Sequence, residues 1–186
     1  IVGQMMEKVV LPPFKPRRTE EEVRQECPWG TTGKLPNRKR NIITSLALEA
    51  EVMENINLKL QAKYREIEKN EVRFETHHCE DADYVLVAFG SIARICEKAM
   101  EMAREEGYKV GVLRPITLFP FPTNPIKELS QKVKGFLTVE MSAGQMVEDV
   151  RLTVNGAVPV EFYGRMGGIV PSAEEILAAL KEKLIK

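Results

Sequence analysis

The 186 residues carry 27 lysines and arginines against 27 aspartates and glutamates, a formal charge of zero, with 44% hydrophobic and 29% charged side chains. This is the make-up of a globular chain long enough to bury a core. It excludes a generally basic nucleic-acid binder or a polybasic membrane-surface protein. No apolar run approaches the ~18 residues of a membrane span. The chain opens Ile1-Val2-Gly3-Gln4, without an initiator methionine or the basic and apolar regions of a signal peptide. It reads as a truncated or processed piece of something longer.

The first stretch, residues 1–47, is an extended arm punctuated by Pro12, Pro13, Pro16, Pro28 and Pro36 and by Gly3, Gly30 and Gly33. Proline removes backbone donors and glycine relaxes the chain, so the arm should lie over something else. The basic run Arg38-Lys39-Arg40 fits a solvated loop better than a phosphate site. Residues 48–80 form an amphipathic helix and a hinge. Met53, Ile56, Leu60, Tyr64 and Ile67 recur at helical spacing over 48–70 and make a narrow apolar stripe that needs a partner. Glu75 to Asp83 reads as a polar hinge.

From residue 81 to 186 strand and helix patterns alternate. Strands are expected at 84–89, 109–113, 136–140 and 158–163, the last beginning near Pro159 as an edge strand can. Helices are expected at 92–106, 124–134 and 145–155. A last helix follows Ser172, with Glu175 in capping-box position. The pattern predicts an α/β fold, a three-layer α/β/α domain with a mostly parallel sheet.

Ligands of such sheets gather at the carboxyl ends of the strands. Three loops qualify. Gly90 and Ser91 could hold an anion or simply cap a helix. Glu140, with Ser142, Gly144 and Gln145, could orient a substrate or a neighbouring subunit, or pair with Arg114. Arg165, among glycines 164, 167 and 168, could clamp a carboxylate or phosphate, or the glycines could serve a turn against a partner. No catalytic triad, paired-carboxylate site or metal cluster emerges. Cys27, Cys79 and Cys96 are too few and too scattered for a disulfide framework or a four-thiolate cluster, and suit a reducing, cytoplasmic setting. His77-His78-Cys79 crowds soft ligands together, but neighbours in extended chain point to opposite faces, so a solvated linker is preferred to a metal site.

Four ordered segments carry a family resemblance: Asp81–Arg94, Val110–Pro122, Val139–Arg151 and Phe162–Pro171. Together they resemble the alpha subunit of 2-oxoacid:ferredoxin oxidoreductases of the 2-oxoglutarate and branched-chain type. Upstream, Gly3–Glu7 is similar to the end of that subunit's thiamine-diphosphate-binding domain, and Pro28–Gly33 and Asn57–Tyr64 to its connecting arm and helix. The resemblance implies a C-terminal fragment whose residues 81–186 form a domain like the C-terminal domain of transketolases. Such enzymes decarboxylate a 2-oxoacid on thiamine diphosphate, pass electrons through iron–sulfur clusters to ferredoxin and release an acyl-coenzyme A.

The family's cofactor-activating glutamate would lie ahead of Ile1, and the magnesium–diphosphate site and the clusters elsewhere in the complex. The resemblance therefore brings no catalytic, cofactor-binding or metal-binding residue to this chain. It leaves Gly90, Ser91, Glu140, Gly144, Gln145 and Arg165 as interface or ligand-contact candidates. The implied partners are a beta subunit and the preceding cofactor domain, with ferredoxin and coenzyme A at the level of the complex, and neither nucleic acid nor membrane. The alternatives are a stand-alone assembly module, or a subunit of a related thiamine-dependent 2-oxoacid dehydrogenase or transketolase.

Overall fold

The computed structural model describes residues 13–31, 33 and 39–185. The Gly3–Glu7 segment, Thr32 of the Pro28–Gly33 segment, Pro36 and Arg38 lie outside the described residues. The chain divides into two compact units, one within Met6–Leu58 and one from Lys59 onward.

In the first unit, helix α1 (Glu20–Glu26) starts at a capping box. The Thr19 hydroxyl accepts the Glu22 N–H, and the Glu22 carboxylate accepts the Thr19 N–H at 2.7 Å. Three glutamates fill its first turn, where the helix dipole favours them. It buries no residue. Residues 39–48 have no regular structure and leave Ile42, Ile43, Leu46 and Leu48 exposed. Helix α2 (Ala50–Asn70) follows and crosses the boundary, its residues from Lys59 onward belonging to the second unit, and none of its residues is buried.

The second unit is built on five strands: β1 (Phe74–His77), β2 (Tyr84–Val87), β3 (Val110–Pro115), β4 (Gly135–Glu140) and β5 (Val160–Gly164). Their order is β1-β3-β2-β4-β5, with β1 antiparallel to β3 and every other pair parallel. Helices α3 (Ser91–Glu105), α4 (Thr123–Leu129), α5 (Met146–Val154) and α6 (Ala173–Leu180) connect and follow the strands, and α6 runs into a π-helical turn, Lys181–Ile185. On one face Leu86, Val112, Leu137 and Val139 pack with Cys96 and Met100 of α3 and Ile176 and Leu180 of α6. On the other, Val85, Val87, Leu113 and Phe136 pack with Ile126 of α4 and Val150 of α5. Alternate residues of each strand serve opposite faces, which is why the central strands read as unbroken apolar runs. The result is the expected three-layer α/β/α domain with a mostly parallel sheet.

Three readings need correction. The stretch taken for an irregular extended arm contains the capped helix α1, because Thr19 and Glu22 form a capping box ahead of a run of glutamates. The segment taken for a polar hinge contains β1, with Glu75 opposite Arg114 and His77 opposite Val112. Its residues are polar because it is an edge strand with little apolar cover. The helix expected at 124–134 ends at Leu129. Elsewhere the capping box at Ser172 and Glu175 is formed, with backbone-to-side-chain bonds of 2.8 and 3.2 Å.

The residues of the His-His-Cys run diverge. His77 Nε2 lies 3.6 Å from Glu97 on α3, beyond hydrogen-bonding reach. Cys79 packs on the opposite sheet face and donates to the Val112 carbonyl at 3.3 Å. His78 takes a left-handed turn (φ 53°), and its carbonyl accepts from Arg104 at 2.9 Å. Arg104 also donates to the Val110 carbonyl at 2.7 Å and to Asp81 at 2.6 Å, fastening the β1–β2 connection to β3. That hydrogen bond from the guanidinium holds the Asp81 carboxyl below its ordinary range.

Candidate functional site

Strand order reverses direction at β2: β3 lies on one side of it and β4 on the other. The carboxyl ends of β2 and β4 therefore splay around a crevice, the place where ligands bind in open α/β sheets. A cleft of about 390 Å³ lies there, lined by Gly90, Ser91, Glu140, Met141, Ser142 and Gln145, among others.

Gly90 occupies the N-cap position of α3 with φ 63° and ψ −140°, a conformation that glycine alone adopts without strain. No side chain caps this helix. Ser91 is its first residue, so its hydroxyl does not play the capping part that one reading of the sequence allowed.

Glu140, at the end of β4, is 3% exposed. Its carboxylate accepts the backbone N–H groups of Gln145, Met146 and Val147 at 3.0–3.2 Å and the Ser142 hydroxyl at 3.1 Å. The first turn of α5 has no local cap, because Gln145 stands at its N-cap without a side-chain bond. A carboxylate reaching across from the neighbouring strand does that work, favoured by the helix dipole. The Ser142 hydroxyl also accepts the Gly144 N–H at 3.1 Å. Gly144 (φ +109°) turns the chain where a Cβ would press on Val147 Cγ1 at 3.2 Å.

The salt bridge from Glu140 to Arg114, one alternative read from the sequence, is not formed. Arg114 pairs with Glu75 across the β1–β3 ladder at 2.9 Å.

Arg165 leaves the cleft. Its backbone N–H donates to the Glu140 carbonyl at 3.2 Å, while its guanidinium pairs with Glu175 of α6 at 2.6 Å. Hydrogen bonds with Tyr163 and Glu175 raise the Arg165 pKa above its ordinary value. Glu175 is lowered by the backbone bond from Ser172 and then by Arg165. The guanidinium is thus tied to the protein's own capping box. Gly164, beside it, has no room for a side chain: a Cβ would overlap the Phe162 ring and the Ser142 carbonyl oxygen.

Of the six candidates, then, Gly90, Ser91, Glu140 and Gln145 converge on the cleft, Gly144 shapes the loop behind it, and Arg165, just after β5, pairs with α6. Sequence reading missed the Arg165–Glu175 pair. The capping-box position of Glu175 was legible, but nothing in the nine intervening residues signals that the two meet.

This architecture is shared with two solved structures. One is the 2-oxoglutarate:ferredoxin oxidoreductase from Magnetococcus marinus with 2-oxoglutarate, coenzyme A and succinyl-CoA bound (TM-score 0.58, 19% identity, covering 73% of this chain and 24% of that one). The other is a split-gene transketolase in an inactive tetramer (TM-score 0.53, 20% identity, covering 61% and 41%). At these identities the likeness is one of fold alone, a mostly parallel α/β domain.

Residues 82–176, just over half of the chain, match the family model described as pyruvate:ferredoxin oxidoreductase core domain II, and the chain belongs to that family. Among curated relatives, the ketoisovalerate oxidoreductase subunit VorB of Methanothermobacter marburgensis is 42% identical over 182 residues, 98% of this chain and 50% of that protein. The 2-oxoglutarate synthase subunit KorA of the same organism is 35% identical over 98 residues, 53% of this chain and 26% of that protein. The chain spans about half the length, or less, of these relatives. Among the described residues, no helix is long and apolar enough to cross a membrane.

Proposed function

We propose that the chain is the C-terminal part of the alpha subunit of a 2-oxoacid:ferredoxin oxidoreductase, and that it serves the reaction as framework and contact surface. In this reading residues 1–47 are the connecting arm, 48–80 the helix and connector, and 81–186 the transketolase C-terminal-like domain. The intact complex would oxidise a 2-oxoacid with coenzyme A to an acyl-coenzyme A, carbon dioxide and reduced ferredoxin, in the cytoplasm.

One observation carries the division of labour: the charged candidates are already committed to the protein itself. Glu140 holds the first turn of α5, and Arg165 is paired with Glu175 beside the capping box of α6. Glu140 cannot take or give a proton without releasing a helix end.

Among the described residues, the side chains suit neither cofactor of the implied complex. A magnesium–diphosphate site needs available oxygen ligands. Glu140, the buried carboxylate of the described residues, has both oxygens engaged by N–H groups. Iron–sulfur clusters need convergent thiolates. Burial pushes the Cys79 thiol up to about 11 and raises Cys96 as well. The two lie on opposite faces of the sheet. Thiamine diphosphate, when bound elsewhere in the complex, supplies the electron sink for decarboxylation. This chain's part is to keep the Gly90 and Met141–Gln145 loops rigid at the crevice, where they can meet a neighbouring domain or subunit.

The ketoisovalerate subunit matches nearly the whole chain at 42% identity, which favours a branched-chain 2-oxoacid as substrate. The test is ferredoxin reduction by the complete complex across branched 2-oxoacids, 2-oxoglutarate and pyruvate. Branched acids should give the highest kcat/KM. Reduction of NAD in place of ferredoxin would instead favour a 2-oxoacid dehydrogenase. Calorimetry of the 186-residue chain with thiamine diphosphate and Mg²⁺ should show no binding, and binding would overturn the division of labour.

A further inference from the structure

The loop after β3 is fixed to the edge strand by its backbone, yet it turns its apolar side chains to solvent. The Arg73 carbonyl accepts the N–H groups of Ile116 and Thr117 at 3.0 and 3.1 Å. The Arg73 N–H donates to Thr117 Oγ1 at 3.0 Å, and that hydroxyl reaches the Pro120 carbonyl at 2.8 Å. Phe119 is nonetheless 59% exposed, Ile116 48% and Leu118 46%. Beside them Leu60 and Tyr64 of α2 and Phe74 of β1 are each 40% exposed. Tyr64 and Phe119 meet edge to face with centroids 5.9 Å apart. A groove of about 750 Å³ runs between the last turns of α2, Phe74 and the start of α4.

Together these six residues expose about 500 Å², backbone and the Tyr64 hydroxyl included. A standard interface covers about 800 Å² per partner, of which roughly 60% is apolar. An area of this order suffices for the apolar centre of a contact face.

We propose that this face seats the remainder of a polypeptide of the relatives' length, the half that the matched span leaves out. The proposal rests on the reading of the chain as part of a longer alpha subunit, and three observations select this occupant. The relatives carry about as many residues again as the span matched here. The last turns of α2 form one wall of the groove, so polypeptide continuing ahead of α2 is tethered at the site. Tethering raises its effective concentration to about the millimolar range, an advantage that a separate chain lacks. The rigidity of the Arg73–Thr117 clasp finally means that little loop ordering opposes the contact.

The experiment uses the full-length subunit in its complex, with the photo-crosslinker p-benzoylphenylalanine placed at Phe119. The control site is Leu152, 79% exposed on α5. Peptide mass spectrometry should find Phe119 joined to the same polypeptide outside these 186 residues, while Leu152 is not. If the Phe119 variant does not fold, the probe moves to Ile116 on the same patch, with the same result expected. Joining to a second copy or to another subunit overturns the proposal, as does a folded complex in which neither probe crosslinks. The parent reading fails separately, through absence of 2-oxoacid-dependent ferredoxin reduction whatever the crosslink map.

Discussion

Replacing Glu140 tests whether one buried carboxylate holds the crevice together. In Glu140→Ala the N–H groups of Met146 and Val147, both on residues 3% exposed, lose their acceptor. The Gln145 N–H loses its acceptor too, but Gln145 is exposed and water can replace the carboxylate there. Two buried donors left unpaired at ~1–3 kcal/mol each give a loss of about 2–6 kcal/mol. At about 4 °C per kcal/mol for a unit of this size, that corresponds to a fall in Tm of about 8–24 °C. Glu140→Gln keeps the shape and one acceptor oxygen but turns an amide N–H₂ towards the donors, so its cost should fall between wild type and alanine. The assay is urea and thermal unfolding of the 186-residue chain followed by far-ultraviolet circular dichroism. A loss for Glu140→Ala below about 1 kcal/mol would refute the reasoning, because it would mean that the α5 N-terminus does not depend on this residue.

The Thr138 hydroxyl is fully buried and has no hydrogen-bond partner among the described residues. Thr138→Val removes an unpaired polar group at constant shape and should stabilise by about 1 kcal/mol in urea unfolding; destabilisation would reveal a bond to that hydroxyl. Gly164→Ala drives a Cβ into the Phe162 ring and the Ser142 carbonyl and should cost about 1–3 kcal/mol. Gly167→Ala meets open space but sits at φ +68°, so about 1 kcal/mol of backbone strain is expected; the reverse ranking of these two midpoints would contradict the account. Glu175, held below its ordinary value of 4.5, contributes stability that is full above that value and is lost as pH falls through its lower folded-state value. The stability gap between wild type and Glu175→Gln should therefore be present at neutral pH and close in acid, and a gap that widens on acidification would reverse the sign.

The parallel core was legible because its signal is local. Val85, Leu86 and Val87 are buried on both sheet faces, and a strand so placed must be apolar along its whole length. The edge strand β1 was not legible for the opposite reason. Phe74–His77 is held by its register with β3 and by the Glu75–Arg114 pair, and such long-range pairing leaves no periodic mark on four mostly polar residues. That single omission explains a second one. With β1 absent from the picture, Arg114 looked available to Glu140, whereas the ladder gives it to Glu75.

The site was legible to the same depth and no further. Glycines 90, 144 and 164 stood out in the loops, and each meets a constraint that a side chain would violate: a left-handed N-cap, a tight turn and an overlap with Phe162. The motifs that carried the family resemblance are thus largely records of backbone geometry around the crevice. They were strong evidence for the fold. Glu140 reads differently in the folded chain: the carboxylate that could have oriented a substrate or a neighbouring subunit is the one most completely engaged by backbone donors. A carboxylate so engaged can hold two loops in register, and moving a proton would cost it the helix end it supports.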